Sequence, residues 1–237
     1  AVKTPLGLLL GLGVALSARP GRRLAAVAGT ALLLFLLLSS RTTYNIGVRH
    51  ALLAFPLFAI TAGAAAAGRA DPADRRSASL RRGAAVGALL VAALEAAVAH
   101  PHPFSFFNAL AGGAEGGRRF FADSSLDWGQ DLLRLKAVAP ALAPDGLATI
   151  VFGGDLPSRH APLLRPPRPG EEDRPGAILA IGEAPFALGP ELLRAKGATG
   201  DADRLESIRT ALRERGRRIG TVGGSIGVWR IESAPPR

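Results

Sequence analysis

Cysteine and methionine are absent from this 237-residue chain, and aromatic residues make up only 5% of it. Without cysteine the chain has no disulfide, no thiolate metal site and no cysteine nucleophile. His100 and His102 have no third metal ligand nearby in the sequence, so they do not form a convincing metal site. We therefore expect neither a metal nor a cofactor. Because methionine is missing even at position 1, we expect this to be the later part of a longer protein.

Acidic residues are scarce in one half of the chain. Residues 1–100 hold 11 Lys and Arg against 3 Asp and Glu, whereas residues 101–237 hold 18 against 16. A net charge of +10 would ordinarily suggest nucleic acid, but here the excess lies in the apolar half. Arginines that bracket apolar runs are typical of membrane topology. We expect contact with membrane lipid and no nucleic-acid partner.

Long apolar runs dominate the first hundred residues, and 48% of the whole chain is apolar. The runs are residues 4–18, 24–40, 51–68 and 83–99. At about 1.5 Å per residue, each approaches the roughly 17 residues that a spanning helix needs. Gly7 with Gly11 and Gly83 with Gly87 are spaced for close helix packing in lipid. The pattern predicts an α-helical membrane portion with about four transmembrane helices in residues 1–100.

The arginine-rich loops predict the orientation of these helices. One cluster lies between the first two runs, at residues 19–23, and another between the third and fourth, at residues 69–82. Four spans would place both loops on the same side, and the excess of arginine assigns that side to the cytoplasm. We therefore expect a multi-pass protein of the cytoplasmic membrane with its C-terminal part outside.

Residues 101–237 have the patterns of a small extracytoplasmic α/β domain. The leucine spacing predicts a helix from Trp128 to about Leu142, and further helices are expected near residues 190–195 and 203–215. The segments "LATIVF" and "AILAIG" predict strands, and "RIGTV" and "IGVWRI" predict a hairpin across "GGS". The predicted boundary between the membrane portion and this domain follows residue 100.

The stretch "DSSLDWGQDL" contains candidate binding residues. Asp127, followed three residues later by Gln130, is close to a capping box, and Asp123 could shape the same turn. The same residues, with Trp128, could instead form a rim that binds a sugar, because carboxylates and amides pair with hydroxyls and an indole offers a flat apolar face. Trp128 could also serve as an anchor at the membrane interface. These alternatives stay open on the sequence alone.

Two further groups of polar residues lie in or beside the apolar runs. In "NIGVRH", Arg49 could bind a phosphate through two hydrogen bonds, and Asn45 and His50 could add neutral ones. Ordinary snorkelling of Arg49 and polar packing of Asn45 are the alternatives. Glu95 is the only charge inside the four runs, and intramembrane carboxylates usually face a polar interior.

Glu95, His100 and His102 are therefore possible intramembrane polar residues. Glu95 lies near the outer end of its run, so placement at the membrane interface is an equal alternative. In "HPHP", the prolines would set the exit of the chain from the bilayer.

Several segments together resemble a known family. They are "KTP", "NIGVRH", "HPHPFSFFNALAGG", "DSSLDWGQDL", "RPGAILAIG" and "IGTVGGSIGVWRI". Their order and content are similar to the C-terminal part of bacterial multi-spanning glycosyltransferases related to the dolichyl-phosphate-mannose protein mannosyltransferases, in the C-type glycosyltransferase superfamily. The resemblance implies a hexosyltransferase that takes a sugar from a polyprenyl-phosphate carrier and passes it to a glycan, lipid or protein outside the cytoplasm.

The resemblance leaves the catalytic residue unassigned. The family's acidic catalytic residue lies in its first large external loop, and no segment of this chain matches that loop. The chain would then be part of an enzyme whose catalytic carboxylate lies elsewhere. The alternative is a non-catalytic membrane protein whose external domain binds polysaccharide or a partner enzyme.

Overall fold

A computed structural model describes most of the chain. The described residues are 3–17, 23, 26–28, 30–31, 34, 37–38, 41, 55–57, 59–60, 63, 75–120, 126–152 and 157–233. The chain divides into two compact units, Ala1–Gly117 and Arg118–Arg237. The division thus falls after Gly117, whereas the sequence predicted it after residue 100.

The segment after residue 100 belongs to the first unit because hydrogen bonds tie it to the N-terminus. The Lys3 ammonium donates to the carbonyl of Phe104 at 2.8 Å, and the Asn108 amide donates to the carbonyl of Thr4 at 2.9 Å. The Lys3 ammonium also lies 4.3 Å from the centre of the Phe107 ring. Asn108 is buried, so its side chain fixes this connection from within the unit.

Two helices form the main packing contact of the first unit. They are α1, Leu6–Ser17, and α2, Arg75–Ala99, and a short helix α3, Gly113–Gly117, follows. Gly7 and Gly11 are buried, and a Cβ atom added to Gly7 would lie 2.3 Å from the carbonyl oxygen of Ala88. The first predicted glycine pair is therefore confirmed as a site of close helix packing.

The second glycine pair behaves differently. A Cβ atom added to Gly83 or to Gly87 would meet no heavy atom within 4 Å. Both glycines are exposed on α2, so the close packing predicted for this pair is not formed with any described residue. The same four-residue spacing thus has different outcomes on two helices, because only the glycines that face a neighbouring helix shorten the contact.

The expected membrane portion with about four transmembrane helices is wrong. Within the described residues, α2 is the one helix that is long and apolar enough to cross a membrane. α1 has 12 residues, or about 18 Å, which is shorter than a hydrocarbon core of about 30 Å. The described positions in the predicted runs 24–40 and 51–68 are helical but scattered, and they define no helix of spanning length. The structure therefore gives no support to a multi-pass topology.

The second unit contains a five-stranded mixed sheet. Its strands are β1 Leu147–Ile150, β2 Leu164–Arg165, β3 Ile178–Gly182, β4 Gly216–Val222 and β5 Ile226–Ile231. Its helices are α4 Leu132–Leu142, α5 Pro157–His160, α6 Glu183–Ala195 and α7 Thr199–Arg215. The strand order is β2-β1-β3-β5-β4, with β1 parallel to both β2 and β3, and β5 antiparallel to both β3 and β4.

Hydrophobic residues fill both faces of this sheet. Along β3, Ala180 packs on one face with Leu147 of β1, whereas Leu179 and Ile181 pack on the other with Leu212 of α7. Alternation of this kind follows from the two-residue period of a strand. The predicted strands in "LATIVF" and "AILAIG" and the predicted β4–β5 hairpin are confirmed.

Candidate functional site

The carboxyl ends of β1 and β3 form a point where the chain diverges. These strands are parallel neighbours, but β1 leads to β2 on one side and β3 leads through α6 and α7 to β4 and β5 on the other. In open α/β sheets, such a divergence leaves a crevice outside the carboxyl ends of the strands, and ligands commonly bind there. The carboxyl ends of β1 and β3 are therefore the place in the second unit where a ligand site is expected.

The turn Leu126–Asp131, taken from the "DSSLDWGQDL" stretch, lies at the carboxyl ends of these two strands. A Cβ atom added to Gly129 would lie 2.5 Å from the carbonyl oxygen of Phe152, two residues past the end of β1. A Cβ atom added to Gly182, the last residue of β3, would lie 2.4 Å from the Asp127 carboxylate. Only glycine allows these approaches, and Gly129 also has a φ of +75°. The turn thus contacts the ends of both strands.

Asp127 fixes the turn to the start of α6. It is fully buried, and its two carboxylate oxygens accept the backbone N–H groups of Gly129 at 2.9 Å and Ala184 at 3.3 Å. The N-cap residue of α6 is Gly182, which has no side chain to cap the helix. Asp127 therefore caps a helix that is distant in sequence, whereas the sequence suggested that it would cap the helix that directly follows it.

Burial also changes the proton affinity of Asp127. Removal from water raises the pKa of this carboxyl above its ordinary value, and this effect outweighs the hydrogen bonds from Gly129 and Ala184, which lower it. The negative charges of Glu183 and Asp131 raise the pKa further.

Gln130 and Trp128 complete the turn. The Gln130 side chain accepts the backbone N–H of Trp128 at 2.7 Å and donates to the carbonyl of Leu126 at 3.0 Å. This amide stabilises the turn itself, so the expected capping box is not formed. The Trp128 indole is 42% exposed and meets the Phe152 ring edge to face at 5.5 Å. The result is a hydrogen-bonded turn that presents an aromatic ring at the edge of the sheet.

Asp131 links the same turn to the tip of the β4–β5 hairpin. The buried Asp131 carboxylate accepts a hydrogen bond from the Ser225 hydroxyl at 2.7 Å and another from Arg134 at 2.6 Å. A Cβ atom added to Gly223 would lie 1.8 Å from the Asp131 carboxyl carbon. Arg134 lies three residues after Asp131, so this ion pair is local in sequence. Ser225 lies 94 residues further along the chain than Asp131, and this contact was not predicted from the sequence.

Glu183 joins two arginines beside the turn. Its carboxylate lies 3.0 Å from the Arg118 guanidinium and pairs with Arg218 of β4. Arg118 also donates to the carbonyl of Gly224 at the hairpin tip, at 3.2 Å. None of these residues was singled out from the sequence, because no local pattern connects them. Together they attach the start of α6 to the hairpin.

The remaining candidate residues lie outside the described residues or in the first unit. Asn45, Arg49, His50 and Asp123 lie outside the described residues. Glu95, in the first unit, accepts the backbone N–H of Gly7 at 3.2 Å and so contacts the first turn of α1. This position gives Glu95 a structural partner, while its predicted functional role remains untested.

His100 and His102 follow the end of α2 in the first unit. His100 is exposed, and His102 is half-buried immediately before the short helical turn Pro103–Ser105. No group of three or more His, Asp or Glu residues in the described part of the chain could hold a metal ion.

Comparisons with protein-family models, curated proteins and solved structures found no match. The geometry therefore carries the functional argument. It defines an edge of the second unit with one exposed indole and with buried carboxylates that are already hydrogen-bonded to the protein. Such an edge can bind a ligand by stacking, and its two aspartates serve to hold the turn in place.

Proposed function

We propose that this chain is part of a membrane glycosyltransferase that takes a sugar from a polyprenyl-phosphate carrier and passes it to an acceptor at the extracytoplasmic face. In this proposal α2 crosses the membrane and the second unit lies outside the cytoplasm. The similarity of the quoted segments to the glycosyltransferase family supports the chemistry, and the length and apolar surface of α2 support the membrane location.

The observation that carries the proposal is the exposed indole of Trp128 at the carboxyl ends of β1 and β3. A flat aromatic ring with one polar N–H group suits a ligand with an apolar ring face and hydroxyl groups, as a sugar has. Asp127, Gln130 and Asp131 hold the turn by hydrogen bonds, so the ring is presented with little loss of conformational freedom on binding. We assign to this edge the binding of the acceptor or of the transferred sugar.

The proposed role of the edge is binding and not proton transfer. Asp127 and Asp131 are buried, and protein groups already occupy both oxygens of each carboxylate. In the proposed reaction, a carboxylate elsewhere deprotonates the acceptor hydroxyl while cationic groups stabilise the departing phosphate. Arg49 is our candidate for the phosphate contact. If Arg49→Ala left sugar transfer and carrier affinity unchanged in the full-length protein, this assignment would be wrong.

A second candidate is a non-catalytic membrane protein whose second unit binds polysaccharide. The same edge favours it, because the aromatic surface is present while its two nearest carboxylates are engaged in structural contacts. The two candidates differ in whether the full protein turns over a carrier-linked sugar.

The deciding experiment uses the full-length protein in proteoliposomes with radiolabelled polyprenyl-phosphate sugars and a panel of acceptors. We expect Trp128→Ala to raise the KM for the acceptor about fivefold or more, since loss of an aromatic stacking surface costs roughly 1–3 kcal/mol. Leu133→Ala, a change at another exposed residue of the second unit, is the matched control and should leave KM unchanged.

Three outcomes separate the candidates. Turnover with a Trp128-dependent KM supports the transferase. Polysaccharide binding that depends on Trp128 without turnover supports the second candidate. If Trp128→Ala changed neither turnover nor binding, the assignment of this edge as a ligand site would be refuted.

A further inference from the structure

Helix α2 changes character along its length. Its first eight residues, Arg75–Arg82, contain four arginines and no acidic residue, whereas Glu95 is the only charged residue among positions 83–99. Arg75, Arg76 and Arg82 are exposed. The helix therefore has a basic N-terminal end that continues directly into an apolar stretch.

One face of α2 carries basic and then apolar side chains in a single row. Arg75, Arg82, Val86 and Leu89 follow one another at spacings of seven, four and three residues, which places them on the same side of a helix. Val86 is 55% exposed and Leu89 is 69% exposed. Along the helix axis this face presents two guanidinium groups and then two apolar side chains.

The length of α2 matches this order to the layers of a bilayer. Its 25 residues span about 37 Å, whereas the hydrocarbon core is about 30 Å thick and each headgroup layer adds roughly 5–7 Å. If residues 83–99, about 26 Å long, occupy most of the hydrocarbon, the segment Arg75–Arg82 extends over about 10 Å from the edge of the hydrocarbon through the headgroup layer. Because long arginine side chains can bend along the helix axis, the guanidinium groups of Arg75 and Arg82 can both reach the depth of the lipid phosphates.

We propose that Arg75 and Arg82 form a binding site for an acidic phospholipid. The part of an acyl chain nearest the headgroup packs on Val86 and Leu89. A guanidinium can donate two parallel hydrogen bonds to a phosphate, which an ammonium cannot do. An acidic lipid is favoured because its phosphate charge has no cation of its own headgroup to balance it. This site rests on the membrane crossing of α2 that the proposed function includes, but it does not depend on sugar transfer.

The test uses the whole protein in phosphatidylcholine nanodiscs that contain a trace of spin-labelled lipid. The spectrum gives the fraction of labelled lipid immobilised by the protein, once for phosphatidylglycerol and once for phosphatidylcholine. We expect the wild type to prefer phosphatidylglycerol, and we expect the preference to fall about fivefold for each arginine replaced by glutamine at positions 75 and 82. The double variant Arg75→Lys with Arg82→Lys should keep part of the preference, because it keeps the charge and loses the two-bond geometry.

The matched control removes two exposed arginines from the second unit, as Arg217→Gln with Arg230→Gln. It lowers the net charge by the same amount and should leave the lipid preference intact. The inference is overturned if the wild type immobilises both lipids equally, if Arg75→Gln with Arg82→Gln keeps the preference, or if the control loses it to the same extent.

Flotation with vesicles of phosphatidylcholine alone tests the membrane crossing of α2 separately from the lipid site. Flotation combined with no preference for phosphatidylglycerol refutes the lipid site and leaves the proposed function standing. Failure to float contradicts the membrane crossing of α2, and the lipid site fails with it.

Discussion

The two units of this chain bury opposite kinds of side chain. In the first unit the buried positions of the two long helices are small, namely Gly7, Gly11, Ala15, Ala78 and Ala88. Large apolar side chains of α2 are exposed instead, namely Leu80, Val86, Leu89, Leu90, Leu94 and Val98. In the second unit the fully buried side chains are large, and they include Leu135, Leu147, Leu164, Leu179 and Ile181.

The membrane crossing proposed for α2 would account for this difference, because the two units would then fold in different solvents. In water, burial of large apolar side chains is the main stabilising contribution, and the second unit follows that rule. In lipid, an exposed leucine costs nothing, and helices associate through small residues that allow close packing. The first unit has this second pattern, so the comparison supports a membrane environment for α2 from packing as well as from composition.

The largest expected effect is the loss of a buried leucine in the second unit. Leu179→Ala should lower the free energy of unfolding by about 2–5 kcal/mol, because it removes a fully buried side chain and leaves a cavity. Urea denaturation followed by tryptophan fluorescence measures this unit alone, because both tryptophans, Trp128 and Trp229, belong to it. Leu133→Ala, at an exposed position, should change the free energy by less than about 0.5 kcal/mol. Equal losses in the two variants would contradict a core of this kind.

A smaller loss of stability is expected when a larger side chain is introduced at the helix contact of the first unit. Gly7→Leu forces a side chain against the backbone of Ala88 and should cost about 1–3 kcal/mol, with α1 displaced from α2. Gly87→Leu, made in open space on α2, is the control. The chain has no native cysteine, so spin labels on cysteines introduced at the exposed positions Leu10 and Leu90 can report the distance between the helices. A distance that lengthens equally in both variants would show that Gly7 is not the packing contact.

Two buried carboxylates of the second unit should respond to pH in opposite directions. The pKa of Asp127 is raised by burial, so the stability it contributes is present below its ordinary pKa of 3.8 and is lost as pH rises through the folded-state pKa. The pKa of Glu171 is lowered by its hydrogen bonds with Arg165, so its contribution is present above the ordinary pKa of 4.5 and is lost as pH falls through the folded-state pKa.

Urea denaturation from about pH 3 to about pH 7 tests this contrast. Relative to Asp127→Asn, the wild type should lose stability as pH rises. Relative to Glu171→Gln, the wild type should gain stability as pH rises. If both comparisons changed in the same direction, the assigned causes of the two pKa shifts would be wrong.

The smallest expected change in stability is at Trp128. Trp128→Ala should cost about 0.5–1.5 kcal/mol or less, because the indole is partly exposed and its described ring contact is the edge-to-face one with Phe152. Guanidinium denaturation followed by circular dichroism measures this without relying on the removed fluorophore. A loss as large as that of Leu179→Ala would identify Trp128 as a core residue and would weaken its assignment to ligand binding.

Local patterns in the sequence predicted β1, β3 and the β4–β5 hairpin of the second unit, but not the two-residue strand β2. The reason is that β3 and β5 have apolar residues at most positions and that Gly223 and Gly224 form the turn before β5, and such signals act over a few residues. The helix α6 was expected near residue 190 but begins at Glu183, seven residues earlier. Its start depends on a hydrogen bond from Ala184 to Asp127, 57 residues away, and no local pattern encodes that contact.

The limits of the sequence are clearest in the first unit. Apolar composition alone does not fix the length of a helix: α1 lies in an apolar run but has only 12 residues, and α2 is the one helix of spanning length in the described part of the chain. The candidate residues of the "DSSLDWGQDL" stretch were identified from their types, but their roles depend on Gly182, Ser225 and Glu183, which come from distant parts of the chain. Residue types were therefore enough to identify the turn as a candidate site. Only the tertiary structure showed that its carboxylates hold the turn in place.

The most direct test of the contrast between the units is the solvent around two exposed leucines. Leu94 of α2 is 65% exposed and Leu133 of α4 is 75% exposed, and cysteine can be introduced at either position of this cysteine-free chain. In proteoliposomes, a spin label at position 94 should be relaxed by oxygen, which concentrates in lipid, and a label at position 133 by a water-soluble nickel complex. Relaxation of the label at position 94 by the nickel complex, to the same extent as at position 133, would contradict the placement of α2 in the membrane.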